Sequence, residues 1–493
     1  MNSIVFNQSI RYTVIQFAGV FVGIFSTLLI YPADLSLYGL YAFMTNTASL
    51  LVPFVSLGFG HVLLRYFPFY RDRNGVTSPR FLRNIYTFYA AGMVAFGFIF
   101  CFARNKLLGL FHDPEPLIIH HFIFILPITI LYVLHELAVS FCTTHKEIAI
   151  PALLGNLIKI WLPVSFMLCV RQWINASEFL MGIMLYYVCI ILFLTYRLSL
   201  MDKPLASANV RLYPPVERRE MLRFAAYSIL TGTSAVLALR IDSLMISTQL
   251  NMSANGQFSL AYFMSNACFI PAMSLMEILS PFVSMDTFKS DLEQIRLTYR
   301  KSVEQMLIPT TWAAAILYWG LNDLIHILPN GHKLSGIQDV LGLLLIARIA
   351  DAVTGVNHHI LNFSKHYRWE LWLLFGLIIV NLGFNIILIP KWGITGAAMG
   401  TCISVCLFNI AKTTIIYFKT GLQPYSRSMF RLLIMSTITM VSPVSLDFIG
   451  SGLMHLVATL ICVSMCMLYG IIYFHISEDF RNYLLKLLPV SKD

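Results

Sequence analysis

The chain has 493 residues, of which 58% are hydrophobic and only 12% charged. Soluble domains carry about a quarter charged residues, so this composition excludes a soluble enzyme and a disordered polyelectrolyte and points to a protein embedded in lipid. The formal net charge of +10 would suit a polyanion-binding protein only if the basic residues were clustered, whereas here they are spread over short segments between apolar runs.

The first two apolar runs, 10–31 and 39–63, make a hairpin, and the first is full length, so no cleavable signal peptide is predicted. Span 1 carries Gln16, Gly19, Gly23 and Ser26. Span 2 carries Asn46, Ser49, Pro53, Ser56 and Gly60, spaced as one polar face of a continuous helix. Spans 3 and 4 follow at 82–103 and 117–142, the fourth containing His135-Glu136 without the second histidine of a zincin helix. Span 5, 148–170, holds Asn156 and Lys159 near mid-depth, and span 6 covers 177–197.

Span 7, 222–249, contains Arg240 and Asp242. Thr231, Ser234, Asp242 and Gln249 share one face of it and Arg240 lies opposite, so either the helix is irregular or one charge faces a neighbouring helix. Span 8, 256–284, presents Ser259, Tyr262, Asn266 and Glu277. After span 9 (303–328), span 10 (336–362) places Arg348, Asp351, Gly355, His358 and Asn362 within a sector of roughly 80° at helical periodicity. Spans 11 and 12 (370–390, 393–418) form a second close hairpin, with Lys412 some six residues from the inner end, where it could snorkel. Spans 13 and 14 run over 429–449 and 452–475.

Each run is long enough to cross roughly 30 Å of hydrocarbon as a helix, and only helices satisfy their own backbone there. The predicted fold class is therefore all-α: a polytopic membrane protein of about 14 transmembrane helices. Of 34 Lys and Arg residues, only Arg104, Lys106, Arg171, Lys333 and Lys391 fall in one set of loops and four lie within spans. The remainder mark the cytoplasmic side, which also receives both termini by the positive-inside rule. The nine cysteines lie in or at the edge of apolar runs and lack zinc-site geometry, no P-loop is present, and no outer loop exceeds about fifteen residues. No cofactor, metal, catalytic domain or nucleic-acid partner is expected, and membrane lipids are expected all round.

A faint repeat divides the chain. Phe43-Met44-Thr45-Asn46 recurs as Phe263-Met264-Ser265-Asn266, and Trp173 and Met181-Gly182 recur as Trp392 and Met399-Gly400, at offsets of 218–220 residues. An even number of spans lies between equivalents, so the copies are parallel, as in many secondary transporters. The expected division is an N-lobe of six helices (1–205), a C-lobe of six (206–420), and two further helices with a cytoplasmic tail (421–493).

A charge at the centre of a span costs on the order of 2.5–3.5 kcal/mol, so persistent ones face a cavity or a partner. Lys159, Arg240, Arg348 and Lys412 are the intramembrane cations, and they could form a positively charged transport path lined by Gln16, Asn46, Asn156, Asn266 and Asn362. The acids Glu136, Asp242, Glu277 and Asp351 could carry a coupling proton or sodium ion, or could neutralise the cations, as Asp351 could Arg348 one turn away. The polar stripes could equally hold helices together.

Several motifs resemble those of a known family. Asn381-Leu-Gly-Phe-Asn385-Ile-Ile-Leu-Ile-Pro390 with Gly393-Ile-Thr-Gly396-Ala-Ala-Met-Gly400 resembles the span 11–12 hairpin of polysaccharide-export flippases. Arg240-Ile-Asp242 with Gly256-Gln-Phe258, and Tyr31-Pro-Ala-Asp34 with Leu37-Tyr38-Gly39, are similar to its span 7–8 and span 1–2 segments. The resemblance is to O-antigen or capsule repeat-unit flippases of the multidrug/oligosaccharidyl-lipid/polysaccharide exporter superfamily, in the bacterial inner membrane. It implies two six-helix lobes around a cleft, alternating access, an undecaprenyl diphosphate-linked glycan as cargo, and a polysaccharide polymerase and chain-length machinery as partners. Lys159, Arg240 and Arg348 would engage the diphosphate. Phe258 stands where the family usually has tyrosine, which removes a hydroxyl. A cation-coupled multidrug exporter of the same superfamily, a peptidoglycan-precursor flippase, and a membrane-embedded polymerase or ligase are the alternatives.

Overall fold

The structure is a computed structural model and describes residues 18–70, 78–111, 115–145, 147, 149–201, 218–289, 291–328, 330–366, 368–450 and 452–473. Its α-helices are α1 (18–29), α2 (Leu35–Val55), α3 (Phe59–Tyr66), α4 (Pro79–Leu108), α5 (Pro116–His121), α6 (Ile125–Thr144), α7 (Ala149–Val170) and α8 (Ala176–Met201). They continue as α9 (Arg218–Gln249), α10 (Met252–Lys289), α11 (Leu292–Ile327), α12 (Gln338–Val353), α13 (Asn357–Phe363), α14 (Arg368–Thr420), α15 (Arg427–Val441) and α16 (Leu453–Tyr473). No strand occurs among the described residues. The described part of each of the fourteen apolar runs is wholly or mainly helical, and nine helical stretches among the described residues are long and apolar enough to cross a membrane. The protein is a multi-pass membrane protein.

The sequence marks the helix ends. Asp34 accepts from Leu37 N at 3.0 Å, Asp291 from Gln294 N at 3.1 Å and Ser426 from Met429 N at 3.1 Å, each capping an amide that the helix cannot satisfy. Asn175 and Glu178 cap α8 reciprocally, with Asn175 N donating to Glu178 at 2.8 Å and Glu178 N to Asn175 at 2.9 Å.

The stretch α14 comprises two helical arms, because the chain folds back at Gly393 (φ 57°, ψ −135°), and so holds spans 11 and 12. A Cβ on Gly396 would lie 2.2 Å from Leu388 O, and one on Gly400 would lie 2.8 Å from Asn385 Oδ1. Residues fifteen apart on a straight helix would be about 22 Å apart, so these glycines pack one arm against the other. The glycine spacing of the span 11–12 motif is a packing requirement.

Spans 2 and 10 are interrupted, contrary to the continuous faces expected of them. Between α2 and α3 the chain turns through Leu57 (φ 51°) and Gly58 (φ 68°), just beyond Pro53. Between α12 and α13 it turns through Gly355 (φ 55°), where the Ser302 hydroxyl accepts from Val356 N at 3.2 Å. The 100° per residue count cannot be carried across either break, so Gly60, His358 and Asn362 do not belong to the stripes begun by Asn46 and Arg348.

The chain divides into two compact units, Met1–Gly256 and Gln257–Asp493. In the first, α2 packs against α6 and α9, and α6 and α7 pack against α8. Gly39 and Gly256 let α2 meet the start of α10: a Cβ on Gly39 would fall 1.7 Å from Met252 O, and one on Gly256 would fall 2.1 Å from Leu35 O. Two of the family-like motifs thus touch each other, backbone on backbone.

In the second unit α11 is central and packs against α12, α15 and α16, while α12 and α13 pack on α14. Phe269, Met306, Leu432, Met435 and Met467 form one core cluster there, joining the last two helices to α10 and α11. Trp312 Nε1 donates to Ser464 Oγ at 3.0 Å, Trp319 Nε1 donates to Met440 O at 2.7 Å, and His455 Nδ1 meets Asp323 at 2.7 Å with Asp323 fully buried.

Candidate functional site

In the first unit, Arg240 reaches from α9 to α2. Its Nη1 donates to Asn46 Oδ1 at 2.7 Å, Asn46 Nδ2 donates to Ser243 Oγ at 2.9 Å, Ser243 donates to Asn255 Oδ1 at 2.8 Å, and Asn255 Nδ2 donates to Gly39 O at 2.9 Å. Arg240 and Ser243 are one turn apart and face α2, while Asp242 is buried on another side with 2% exposure. The helix runs unbroken from Arg218 to Gln249 through both residues.

Lys159 is half-buried on α7, and the place a Gly19 Cβ would take on α1 is 3.1 Å from its Nζ. The same place is 2.2 Å from Asn156 Oδ1, so Gly19 is small because these two side chains need the room. Among the described residues, no carboxylate lies within ion-pair distance of Lys159 or Arg240. Glu136 on α6 is half-buried, receives the Tyr89 hydroxyl at 3.5 Å and abuts Gly60. Gln16 lies outside the described residues.

The cations of the second unit are placed differently. Arg348 Nη1 pairs with Asp351 Oδ2 at 2.9 Å, and Asp351 Oδ1 accepts from Asn409 Nδ2 at 2.7 Å. Asn409 Oδ1 in turn accepts from Thr354 at 3.0 Å, tying α12 to the second arm of α14. Tyr262 and Phe269 flank the guanidinium, with each ring centroid 5.8 Å away.

Lys412 does not snorkel. It is 3% exposed and its Nζ is 2.9 Å from Glu370 Oε1, which His358 Nδ1 also meets at 2.9 Å. The reason is the fold-back at Gly393, which sets Lys412 on the second arm of α14 beside Glu370 at the start of the first. Glu370 was not singled out in the sequence because it stands at the edge of its apolar run.

Asn266 Nδ2 donates to its own helix at Tyr262 O (2.8 Å), and Asn362 and Glu277 are exposed. Phe258 is 3% exposed with its ring 6.2 Å from that of Tyr262, a packing role that needs no hydroxyl. All nine cysteines are free, and among the described residues no group of three His, Cys, Asp or Glu could hold a metal.

Sequence reasoning also passed over the tyrosines of the first unit. Tyr38 and Tyr41 on α2, Tyr132 on α6 and Tyr187 on α8 lie together, with ring centroids 6.1 Å apart for the first pair and 4.8 Å for the second. Their signal was present as Tyr38/Tyr41 at i, i+3, and it is easily taken for ordinary apolar filling.

Comparison with known proteins bears on the fold and the family. Among curated proteins no sequence matches. The fold is similar to that of the lipid II flippase MurJ in an inward closed conformation, with TM-score 0.75 and 12% identity over 96% of this chain and 100% of that one. It is also similar to a multidrug resistance transporter of the MATE family and MOP superfamily in an inward-facing conformation, with TM-score 0.60 and 12% identity over 83% and 94% of the two chains. A family model described as polysaccharide biosynthesis protein matches residues 28–325, more than half of the sequence, and the chain therefore belongs to that family of polysaccharide biosynthesis proteins, within a flippase and transporter fold.

Proposed function

We propose that the protein flips an undecaprenyl diphosphate-linked oligosaccharide repeat unit from the cytoplasmic to the periplasmic leaflet of a bacterial plasma membrane, by alternating access, for surface polysaccharide such as O-antigen or capsule. The observation that supports this most is the contrast among the four intramembrane cations. Arg348 and Lys412 are committed to Asp351 and Glu370, whereas Lys159 and Arg240 are half-buried with no acid partner among the described residues. Uncompensated cations in a low-dielectric setting are costly and are retained where an anionic cargo supplies the missing charge. A diphosphate meets that need, since it cannot shed its hydration without charged donors to replace it.

In the second unit the acids Asp351 and Glu370 are already neutralised by Arg348 and Lys412, which disfavours a path for organic cations there. We assign proton or sodium coupling to Glu136, the half-buried acid whose partner is a tyrosine hydroxyl and not a cation. Cytoplasmic termini follow from the positive-inside rule, and a polymerase with its chain-length machinery would consume the delivered unit.

The test is flipping in reconstituted vesicles, read as exposure of undecaprenyl diphosphate-linked oligosaccharide to a lectin outside. Lys159→Ala and Arg240→Ala should each slow it by about ten- to a hundredfold, the scale of one or two lost charge-assisted hydrogen bonds. Unimpaired flipping in both variants would overturn the proposal.

A further inference from the structure

We propose that Tyr41, Tyr132 and Tyr187 form a platform that stacks the sugar ring next to the diphosphate, and that this platform determines whether the cargo must carry a sugar at all. The inference rests on the functional reading above and adds to it the site for the neutral part of the cargo.

Three helices of the first unit converge to make the platform. The rings of Tyr132 and Tyr187 have centroids 4.8 Å apart at 50°, and Tyr41 approaches from α2, which packs on α6, with its ring against Phe179 of α8. All three keep partial exposure. Behind them stands a second row with almost none: Tyr31 is 5% exposed and Tyr38 8%, while Phe166 and Phe179 are fully buried. Tyr31 stacks on Tyr38 at 4.5 Å, and Phe179 meets the edge of Tyr41 at 6.4 Å. A front row of partly exposed rings backed by a buried row gives a rigid aromatic surface.

The chemistry of the front row is specific. A tyrosine offers an apolar face and a polar tip, which suits ligands that are apolar on one side and hydroxylated at the edge. A pyranose is such a ligand: its axial C–H bonds lie against an aromatic face while its equatorial hydroxyls reach hydrogen-bond partners at the rim. The Tyr41 hydroxyl has no hydrogen-bond partner among the described residues, so its polar tip remains available. Leucine or phenylalanine would fill the same volume between helices without offering polar groups that require satisfaction in lipid.

Position relative to charge completes the case. The Arg240 guanidinium is held on α2 by Asn46, which stands little more than one helical turn from Tyr41 on the same helix. A diphosphate on Arg240 would therefore deliver its first sugar to the tyrosines. One unit would read the anionic linkage and the adjoining ring together.

The experiment compares two probes on the purified full chain in lipid nanodiscs: undecaprenyl diphosphate alone, and the same lipid carrying one N-acetylhexosamine. For the unmodified protein the sugar should tighten binding by about tenfold, the scale of one good aromatic contact. Tyr41→Leu and Tyr132→Leu should bring the ratio of the two affinities close to one, while Tyr41→Trp, which keeps an aromatic face, should preserve it. Because a ratio is read on one folded sample, partial misfolding does not imitate the effect. A ratio that survives both leucine variants, or is absent in the unmodified protein while both lipids bind, overturns the platform. If the bare lipid fails to bind, or binds equally to Arg240→Ala, the diphosphate reading itself is wrong and the platform falls with it.

Discussion

Replacing Lys412 by methionine separates a structural cation from a cargo-binding one. Lys412 and Glu370 are 3% and 6% exposed with their charged atoms 2.9 Å apart, and Glu370 Oε2 is buried without a partner. His358 also touches Oε1, but its side chain is 42% exposed and holds a charge only when protonated. Lys412→Met therefore leaves a buried carboxylate with little compensation, a loss of about 3–5 kcal/mol. Changing both partners, Lys412→Met with Glu370→Leu, removes the stranded charge and should recover most of that loss. The assay is denaturant unfolding in detergent micelles, followed by tryptophan fluorescence, for the two single variants and the double. The structural role is refuted if Lys412→Met is as stable as the parent yet does not flip cargo, since the ammonium would then belong to the transport path.

Three further outcomes are expected. Arg348→Ala should destabilise the protein more than Arg348→Ala combined with Asp351→Ala, and a double-mutant cycle in stability should show coupling of at least about 0.5 kcal/mol. Gly400→Leu should lower the yield of folded protein sharply, because even a Cβ there would lie 2.8 Å from Asn385 Oδ1; unchanged membrane abundance would contradict the folded-back α14. Asp323→Asn should weaken the attachment of α16, seen as earlier proteolysis after Val441, because the carboxylate accepts from Gly452 N at 3.0 Å as well as meeting His455.

Much of the fold was legible because hydrocarbon imposes a single rule: a run of about twenty apolar residues becomes a helix. The runs around Lys159, Arg240 and Arg348 all appear as helices for that reason. The rule does not see within a run. The positive φ values at Leu57, Gly58 and Gly355 interrupt spans whose composition is uninterrupted, and helix periodicity projected through them misplaces Gly60, His358 and Asn362. Gly355 gave a signal only in hindsight, since glycine occurs throughout membrane helices.

The charged residues were legible as costly but not as partnered. Arg348 and Asp351 stand one turn apart, so their pairing could be written down from spacing alone. Lys412 and Glu370 are 42 positions apart and meet only because α14 folds at Gly393, information that is tertiary by nature. The tyrosines were hidden by a different ambiguity: an aromatic side chain reads as apolar filling until its neighbours reveal which rings are covered.

The anchoring of α16 also constrains the biogenesis of the protein. Trp319 and Asp323 on α11 emerge from the ribosome well over a hundred residues before Met440 and His455, the groups that satisfy them. Until those arrive, the Asp323 carboxylate near the end of α11 and the Trp319 indole N–H lack the partners they have in the folded protein. The second unit is therefore completed late in synthesis, when α15 and α16 dock on α11. Its closing helices act as a seal of completion as much as a part of the bundle.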